Sequence, residues 1–224
     1  MKTVVFDLDG TLADTSGDLI AAANTCFQAM GEGNLLDAVS DAGTALRGGR
    51  AMLTLGMQRL GRGGDNITID AYYPKLLEAY ACAIDTHTVL YPRAMDAVMA
   101  LKSAGYLVAI CTNKPERLAH TLLTRLGIVD EFHAMLGADT LTVRKPDPEH
   151  LFETARRAGG DPAHCVLIGD SDTDRKTAHA AGVPCVLVTF GPAGDDMVAL
   201  KPEALLDDFA DLPALIPTLI GAPT

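Results

Sequence analysis

Two aspartates stand two residues apart at the end of the first apolar segment of the chain. Residues 3–6 are β-branched or aromatic, as is typical of a strand buried in a parallel sheet, and Asp7 and Asp9 follow them. Residues two apart on an extended backbone point to the same face, so we expect the two carboxylates to lie together. A divalent cation would relieve their repulsion, as would a proton held on one of them. Gly10 then allows a sharp turn with room for a ligand.

Polar residues follow two later apolar segments in the same way. Thr112 and Asn113 come directly after residues 107–111, and Asp170 follows residues 165–168 with one glycine between them. The carboxyl ends of parallel strands meet at one edge of a sheet, and open α/β proteins bind their ligands there. We therefore expect these polar residues to meet the two aspartates of the first strand.

Lys145, after a fourth predicted strand, would supply the cation that an anionic ligand needs in an acidic chain. Several carboxylates, a hydroxyl, a backbone amide and a lysine together suit a site for Mg²⁺ and a phosphate group. Thr112 and the backbone N–H of Asn113 would hold the phosphate oxygens on which charge builds up in the transition state.

The composition narrows the classes of partner. The chain has 224 residues, is 48% hydrophobic and carries a formal net charge of −11, which is typical of a globular protein with one full core and a small second domain. The negative charge argues against nucleic acid or an anionic membrane surface as the main partner. We expect a small-molecule ligand and a monomeric or homodimeric protein.

The cysteines and the N-terminal residues suggest a compartment. Five cysteines show none of the spacings typical of metal sites, so we expect reduced and buried thiols. The first strand starts directly after Lys2, which leaves no room for a signal peptide, and no apolar run approaches the ~18 residues of a membrane span. The sequence therefore predicts a cytoplasmic protein.

Helical periodicity dominates residues 16–90, whereas helices and strands alternate after them. An insertion of this size is too long for a loop, so it should form a separate module. The alternation predicts a mostly parallel sheet with helices on both faces. We predict an α/β core from residues 1–15 and 91–224 and a helical domain from residues 16–90. The helices predicted in that domain cover residues 16–31, 35–42, 51–60 and 69–83. The strands predicted in the core cover residues 3–6, 107–111, 134–136, 165–168 and 184–188.

Four motifs, in this order, resemble those of the haloacid dehalogenase superfamily, and specifically of its phosphatase branch. They are Asp7-x-Asp9-Gly10-Thr11, Thr112-Asn113, Lys145-Pro146 and Gly169-Asp170-Ser171-x-x-Asp174. The helical insertion resembles the C1-type cap of the phosphoglycolate phosphatase-like group, and Leu46-Arg47-Gly48-Gly49 resembles the substrate loop of that cap. The resemblance implies a Rossmann-like core with an inserted helical cap. It also implies that the protein is a phosphomonoester hydrolase that works through an aspartyl phosphate.

The resemblance also implies a role for each matched acidic residue. Asp7 would attack phosphorus, while Asp9 would protonate the leaving oxygen and then deprotonate the hydrolytic water. Asp7, the carbonyl group of Asp9, and Asp170 would bind Mg²⁺. Asp174 would order a metal-bound water or Lys145.

The resemblance also implies which residues bind the substrate. Thr112, Asn113 and Lys145 would bind the phosphate group. Arg47 and Gly48 would contact the substrate from the cap, where a second anionic group on the substrate would suit the arginine. Phosphoglycolate, a small phosphate ester, is the first candidate substrate.

Alternatives to this interpretation stay open. A sugar phosphomutase would form the same aspartyl phosphate but return the phosphoryl group to a sugar. A haloalkanoic acid dehalogenase needs no Mg²⁺, so Asp9 and Asp170 argue against it. A receiver-like signalling module would accept phosphate once per molecule, but receivers are shorter and lack a large cap.

Overall fold

The computed structural model describes residues 1–191 and 194–223. The chain divides into two compact units, which we call the core unit, Met1–Ala13 with Leu90–Thr224, and the helical unit, Asp14–Val89. Among the described residues, no helix combines the length and the apolar character that crossing a membrane requires.

Eight strands in the described residues form two sheets. They are β1 (Thr3–Phe6), β2 (Ala13–Asp14), β3 (Val89–Leu90), β4 (Leu107–Cys111), β5 (Ala134–Leu136), β6 (Cys165–Gly169), β7 (Cys185–Val188) and β8 (Ala204–Leu206). The large sheet has the order β5-β4-β1-β6-β7-β8, and every pair in it is parallel. β2 and β3 pair with each other. The first strand therefore lies inside the large sheet, between β4 and β6.

The large sheet forms where the sequence predicts it. Every residue of β1, β4, β6 and β7 is buried, so continuous apolar segments occupy positions that are covered on both faces. The predicted strands 3–6, 107–111 and 134–136 agree with the structure, and the other two differ by one residue at one end.

Nine α-helices complete the described part of the chain. They are α1 (Ser16–Ala29), α2 (Ala42–Ala45), α3 (Gly49–Arg59), α4 (Asn66–Cys82), α5 (Ala94–Ser103), α6 (Glu116–Arg125), α7 (Pro148–Arg157), α8 (Asp172–Ala181) and α9 (Leu212–Ile220). In the core unit, α7 packs with α8, α5 packs with α9, and each pair contacts strands of the large sheet. The prediction of an α/β fold with a mostly parallel sheet covered by helices is confirmed.

The helix predicted over residues 35–42 is wrong. Side chains bind the backbone of this segment and compete with helical hydrogen bonds. Asn24 Oδ1 accepts the N–H groups of Leu35 and Leu36 at 3.0 Å. Asp37 Oδ1 accepts the N–H group of Ser40 at 2.9 Å. Of this range only Ala42 is helical, as the first residue of the four-residue helix α2.

The cysteines are free, and four of the five are buried as predicted. The exception is Cys82, the last residue of α4, which is exposed. The expectation that all five thiols are buried is therefore wrong for this one residue.

Candidate active site

The backbone at the end of β1 holds Asp7 in place. Its N–H donates to the carbonyl oxygen of Ile168 in β6 at 2.8 Å, which extends the ladder between the two strands by one residue. Its Oδ1 accepts the N–H of Leu8 at 2.7 Å. Gly10 follows with φ of 82°, a left-handed conformation that glycine adopts without a steric penalty. The chain therefore turns sharply just after the aspartate.

Three carboxylates from two segments meet beside this turn. Asp7, Asp170 and Asp174 each offer one oxygen, and these oxygens all lie within 4.8 Å of one another. Thr11 Oγ1, in the turn after β1, donates to Asp170 Oδ1 at 3.1 Å. The structure thus brings the residues of the first and fourth motifs together.

Lys145 lies among these carboxylates with its side chain 1% exposed. Its Nζ is 3.0 Å from Asp7 Oδ2 and 2.7 Å from Asp174 Oδ1. Burial alone would lower the pKa of Lys145, but the charges of Asp174 and Asp7 raise it above its usual value. Asn113 Nδ2 donates to the carbonyl oxygen of Lys145 at 2.9 Å, which joins the second motif to the third.

The start of α8 fixes Asp174, which is fully buried. Ser171 is the N-cap residue, its Oγ accepts the N–H of Asp174 at 3.3 Å, and the same hydroxyl donates to Asp174 Oδ2. Gly169 lies against this carboxylate, because a Cβ at Gly169 would stand 2.4 Å from the Cβ and Cγ of Asp174. Sequence reasoning assigned no role to this glycine, since nothing in the sequence shows that close approach.

Asp9 has a lysine partner that sequence reasoning missed. Lys114 Nζ lies 2.7 Å from Asp9 Oδ1, and the Lys114 side chain is 3% exposed. The only signal in the sequence is that Lys114 follows Thr112-Asn113 directly. Thr112 is itself buried, and its Oγ1 accepts the N–H of Lys114 at 3.2 Å.

The charges of the site do not balance. When all four carboxyl groups are ionised, those of Asp7, Asp9, Asp170 and Asp174 face two ammonium groups, which leaves two negative charges uncompensated. Burial is the main reason why the pKa of Asp7 is raised to about 6. The charges of Asp174 and Asp9 raise this pKa as well, while the charge of Lys145 lowers it. Burial and the charges of Asp174 and Asp7 also raise the pKa of Asp170.

These observations indicate which cation the site suits. A divalent cation would supply the two missing positive charges. The donor atoms are all oxygens, which hard cations such as Mg²⁺ prefer. The residues present therefore fit a magnesium ion.

The residues predicted to contact the substrate from the cap belong to the helical unit. Arg47 is exposed, and one of its terminal nitrogens donates to Thr44 Oγ1 at 3.3 Å. Gly48 precedes α3 with φ of 96°, so a residue with a side chain would be strained there. Arg50, one turn further, pairs with Asp70.

Comparisons with known proteins identify the family of the chain. A phosphoglycolate phosphatase of Mesorhizobium japonicum is 40% identical to the chain over 209 residues, which make up 92% of this chain and 90% of the relative. A phosphoglycolate phosphatase of Agrobacterium fabrum is 37% identical, with 97% and 93% covered. A crystal structure described as a predicted phosphoglycolate phosphatase from Haemophilus somnus superimposes with a TM-score of 0.82 at 26% identity, with 96% and 97% covered. Residues 1–182 match the haloacid dehalogenase-like hydrolase family. The chain therefore belongs to the haloacid dehalogenase-like hydrolases, as its four motifs predict.

Proposed function

We propose that this chain hydrolyses small phosphate monoesters with Mg²⁺ bound, through transfer of the phosphoryl group to Asp7. Phosphoglycolate is the first candidate substrate, because the relatives described above carry that name. The observation that carries the proposal is the buried cluster in which Asp7 lies beside Lys145 and two further carboxylates. That cluster combines a nucleophile, a fixed cation and a place for a metal ion.

The metal ligands that we propose are Asp7, Asp170 and the carbonyl group of Asp9. Asp174 is a less suitable ligand, because Lys145 contacts its Oδ1 and Ser171 donates to its Oδ2. We assign it the task of holding Lys145 in place. A bound Mg²⁺ would offset the carboxylate charges and stabilise the charge on the phosphoryl oxygens.

The chemistry that we assign to the aspartates has two steps. In the first, Asp9 enters as the neutral acid: an oxygen of Asp7 bonds to phosphorus, the ester P–O bond breaks, and the leaving oxygen takes the proton of Asp9. In the second, water gives a proton to the Asp9 carboxylate and bonds to phosphorus, while the bond from Asp7 breaks. The products are an alcohol and phosphate, and both aspartates return to their starting state.

We assign phosphate binding to Lys145, Thr112 and Asn113. The Lys145 ammonium, 3.0 Å from Asp7 Oδ2, would compensate the charge of the entering phosphate. Thr112 and the backbone N–H of Asn113 would donate to the phosphate oxygens. The side chain of Asn113 already donates to the Lys145 carbonyl, which is why we assign only its backbone group.

We further propose that residues 16–90 act as a cap, with Arg47 and Gly48 as its contacts to the substrate. An arginine suits the carboxylate of phosphoglycolate, since its guanidinium binds carboxylates through two parallel hydrogen bonds. We also propose that the protein works in the cytoplasm as a monomer or homodimer. The five free thiols support a reducing compartment.

A panel of phosphate esters tests the function. The purified protein is incubated with phosphoglycolate, sugar phosphates and p-nitrophenyl phosphate, each with Mg²⁺ and with a chelator. We expect many phosphates released per protein molecule, only with metal, and the highest kcat/KM on phosphoglycolate. Conversion of a sugar phosphate into its isomer would instead identify a phosphomutase. A single phosphate bound per molecule would identify a signalling acceptor.

A further inference from the structure

Each aspartate of the Asp7-x-Asp9 pair has its own buried lysine. Lys145 contacts Asp7, and Lys114 contacts Asp9 at 2.7 Å. The Lys114 side chain is 3% exposed and that of Asp9 is 16% exposed. A buried ammonium group is costly unless it is paired, so this contact differs from a surface ion pair, which contributes little.

The backbone of Lys114 is held on both sides. Its N–H donates to Thr112 Oγ1 at 3.2 Å, and its carbonyl oxygen accepts the N–H of Ala138 at 2.9 Å. These contacts tie it to the end of β4 and to the segment that follows β5. The lysine side chain therefore starts from a fixed point and reaches the aspartate in the turn after β1.

Asp9 stands in the turn that follows β1. A β-bridge to Ala13 holds its backbone beside a glycine with positive φ, so what the lysine contact can still set is the orientation of the Asp9 side chain. A proton donor must lie within hydrogen-bond reach of the leaving oxygen, and a misplacement of about 1 Å can cost about 10²-fold in rate. A second fixed contact would prevent that misplacement.

We propose that Lys114 is a positioning residue that orients the Asp9 carboxylate for its two proton transfers. The inference rests on the proposed function, in which Asp9 is the acid and base. If Lys114 acts through Asp9, its loss should matter only while Asp9 is present. A lysine that touched the phosphate, or one needed only for the fold, would matter in either case.

A double-mutant cycle on kcat separates these possibilities. The variants are Lys114→Met, Asp9→Asn and the two combined, measured with saturating Mg²⁺ on phosphoglycolate and p-nitrophenyl phosphate. We expect Lys114→Met to lower kcat about 10- to 100-fold with little change in KM. In the Asp9→Asn background the same substitution should change kcat less than about twofold.

The matched control is Lys102→Met. The Lys102 Nζ makes an ion pair of the same 2.7 Å length with Glu131, at a place outside the candidate active site. This control should keep kcat within about twofold of the wild type. If Lys114→Met fails to fold, as judged by circular dichroism, Lys114→Gln takes its place in the same cycle.

Two results would overturn the inference. One is an unchanged kcat in the single Lys114 variant. The other is an equal loss of kcat in the wild-type and the Asp9→Asn background. If inorganic phosphate also inhibits the Lys114 variant more weakly, Lys114 contacts the phosphate group instead. Either result leaves the proposed function intact as long as the wild type hydrolyses the ester. A wild type without metal-dependent hydrolysis would refute the function itself.

Discussion

Replacing Lys145 with methionine should destabilise the protein strongly. The change removes a positive charge from a side chain that is 1% exposed and leaves Asp7 and Asp174 facing each other without that cation. Removing one partner of a buried ion pair costs about 3–5 kcal/mol, because the other charge stays buried and uncompensated. Two carboxylates lose their partner here, so we expect the upper part of that range at pH 7 without Mg²⁺.

The loss of folding stability in Lys145→Met should depend on pH. Lys145 lowers the pKa of Asp7, which burial already raises to about 6, so its removal raises this pKa further. A carboxyl group whose pKa is higher in the folded state favours folding at low pH, and this contribution is lost as the pH rises through the folded value. The destabilisation should therefore be larger at pH 7 than at pH 5.

Urea unfolding measures this loss of folding stability. Far-ultraviolet circular dichroism serves as the signal, because the chain has no tryptophan for fluorescence. Lys145→Met is compared with Asp174→Asn, with the double variant and with Lys102→Met as the partly exposed control. We expect the double variant to be more stable than the sum of the single effects predicts, by about 2 kcal/mol. A cost under about 1 kcal/mol for Lys145→Met, or additive effects, would refute the reasoning.

Further predictions concern the same site and the helical unit. Asp7→Asn should abolish turnover and the phosphoenzyme, as a phosphate-release assay and intact-protein mass spectrometry would show; retained turnover would exclude Asp7 as the nucleophile. Gly169→Ala would place a Cβ 2.4 Å from Asp174 and should lower both the melting temperature and the affinity for Mg²⁺, whereas an unchanged calorimetric titration would contradict this packing argument. Below pH 6, Mg²⁺ must displace a proton from Asp7 in order to bind. Added Mg²⁺ should therefore raise the melting temperature of the protein more at pH 7 than at pH 5. Arg47→Ala should raise KM for phosphoglycolate about tenfold but hardly change it for a neutral aryl phosphate, and equal effects would remove Arg47 as a substrate contact.

The strands of the large sheet could be predicted from the sequence because burial leaves a local signal. A strand covered on both faces must be apolar along its whole length, so residues 107–111 and 165–168 are readable as strands. The polar residues after them mark the edge at which parallel sheets bind ligands, and the candidate site lies there. The family that the motifs resemble is confirmed by the match over residues 1–182.

The errors and omissions have a common physical cause, namely side-chain contacts that form only in the folded chain. Residues 35–42 have the apolar spacing of a helix, but Asn24 binds their backbone from α1. Lys114 looks like any exposed lysine until the fold brings it to Asp9, 105 residues earlier. The role of Gly169 depends on how closely Asp174 approaches it, which no spacing in the sequence reveals.

The place of β1 inside the large sheet has a consequence for local opening. Strands with neighbours on both sides exchange their amide hydrogens only when much of a protein unfolds, whereas edge strands and loops open alone. The Asp7 amide, bonded to Ile168 of the neighbouring strand, should therefore be among the most slowly exchanging amides of the core unit. The proposed nucleophile would then keep its backbone position through the small fluctuations of the resting protein.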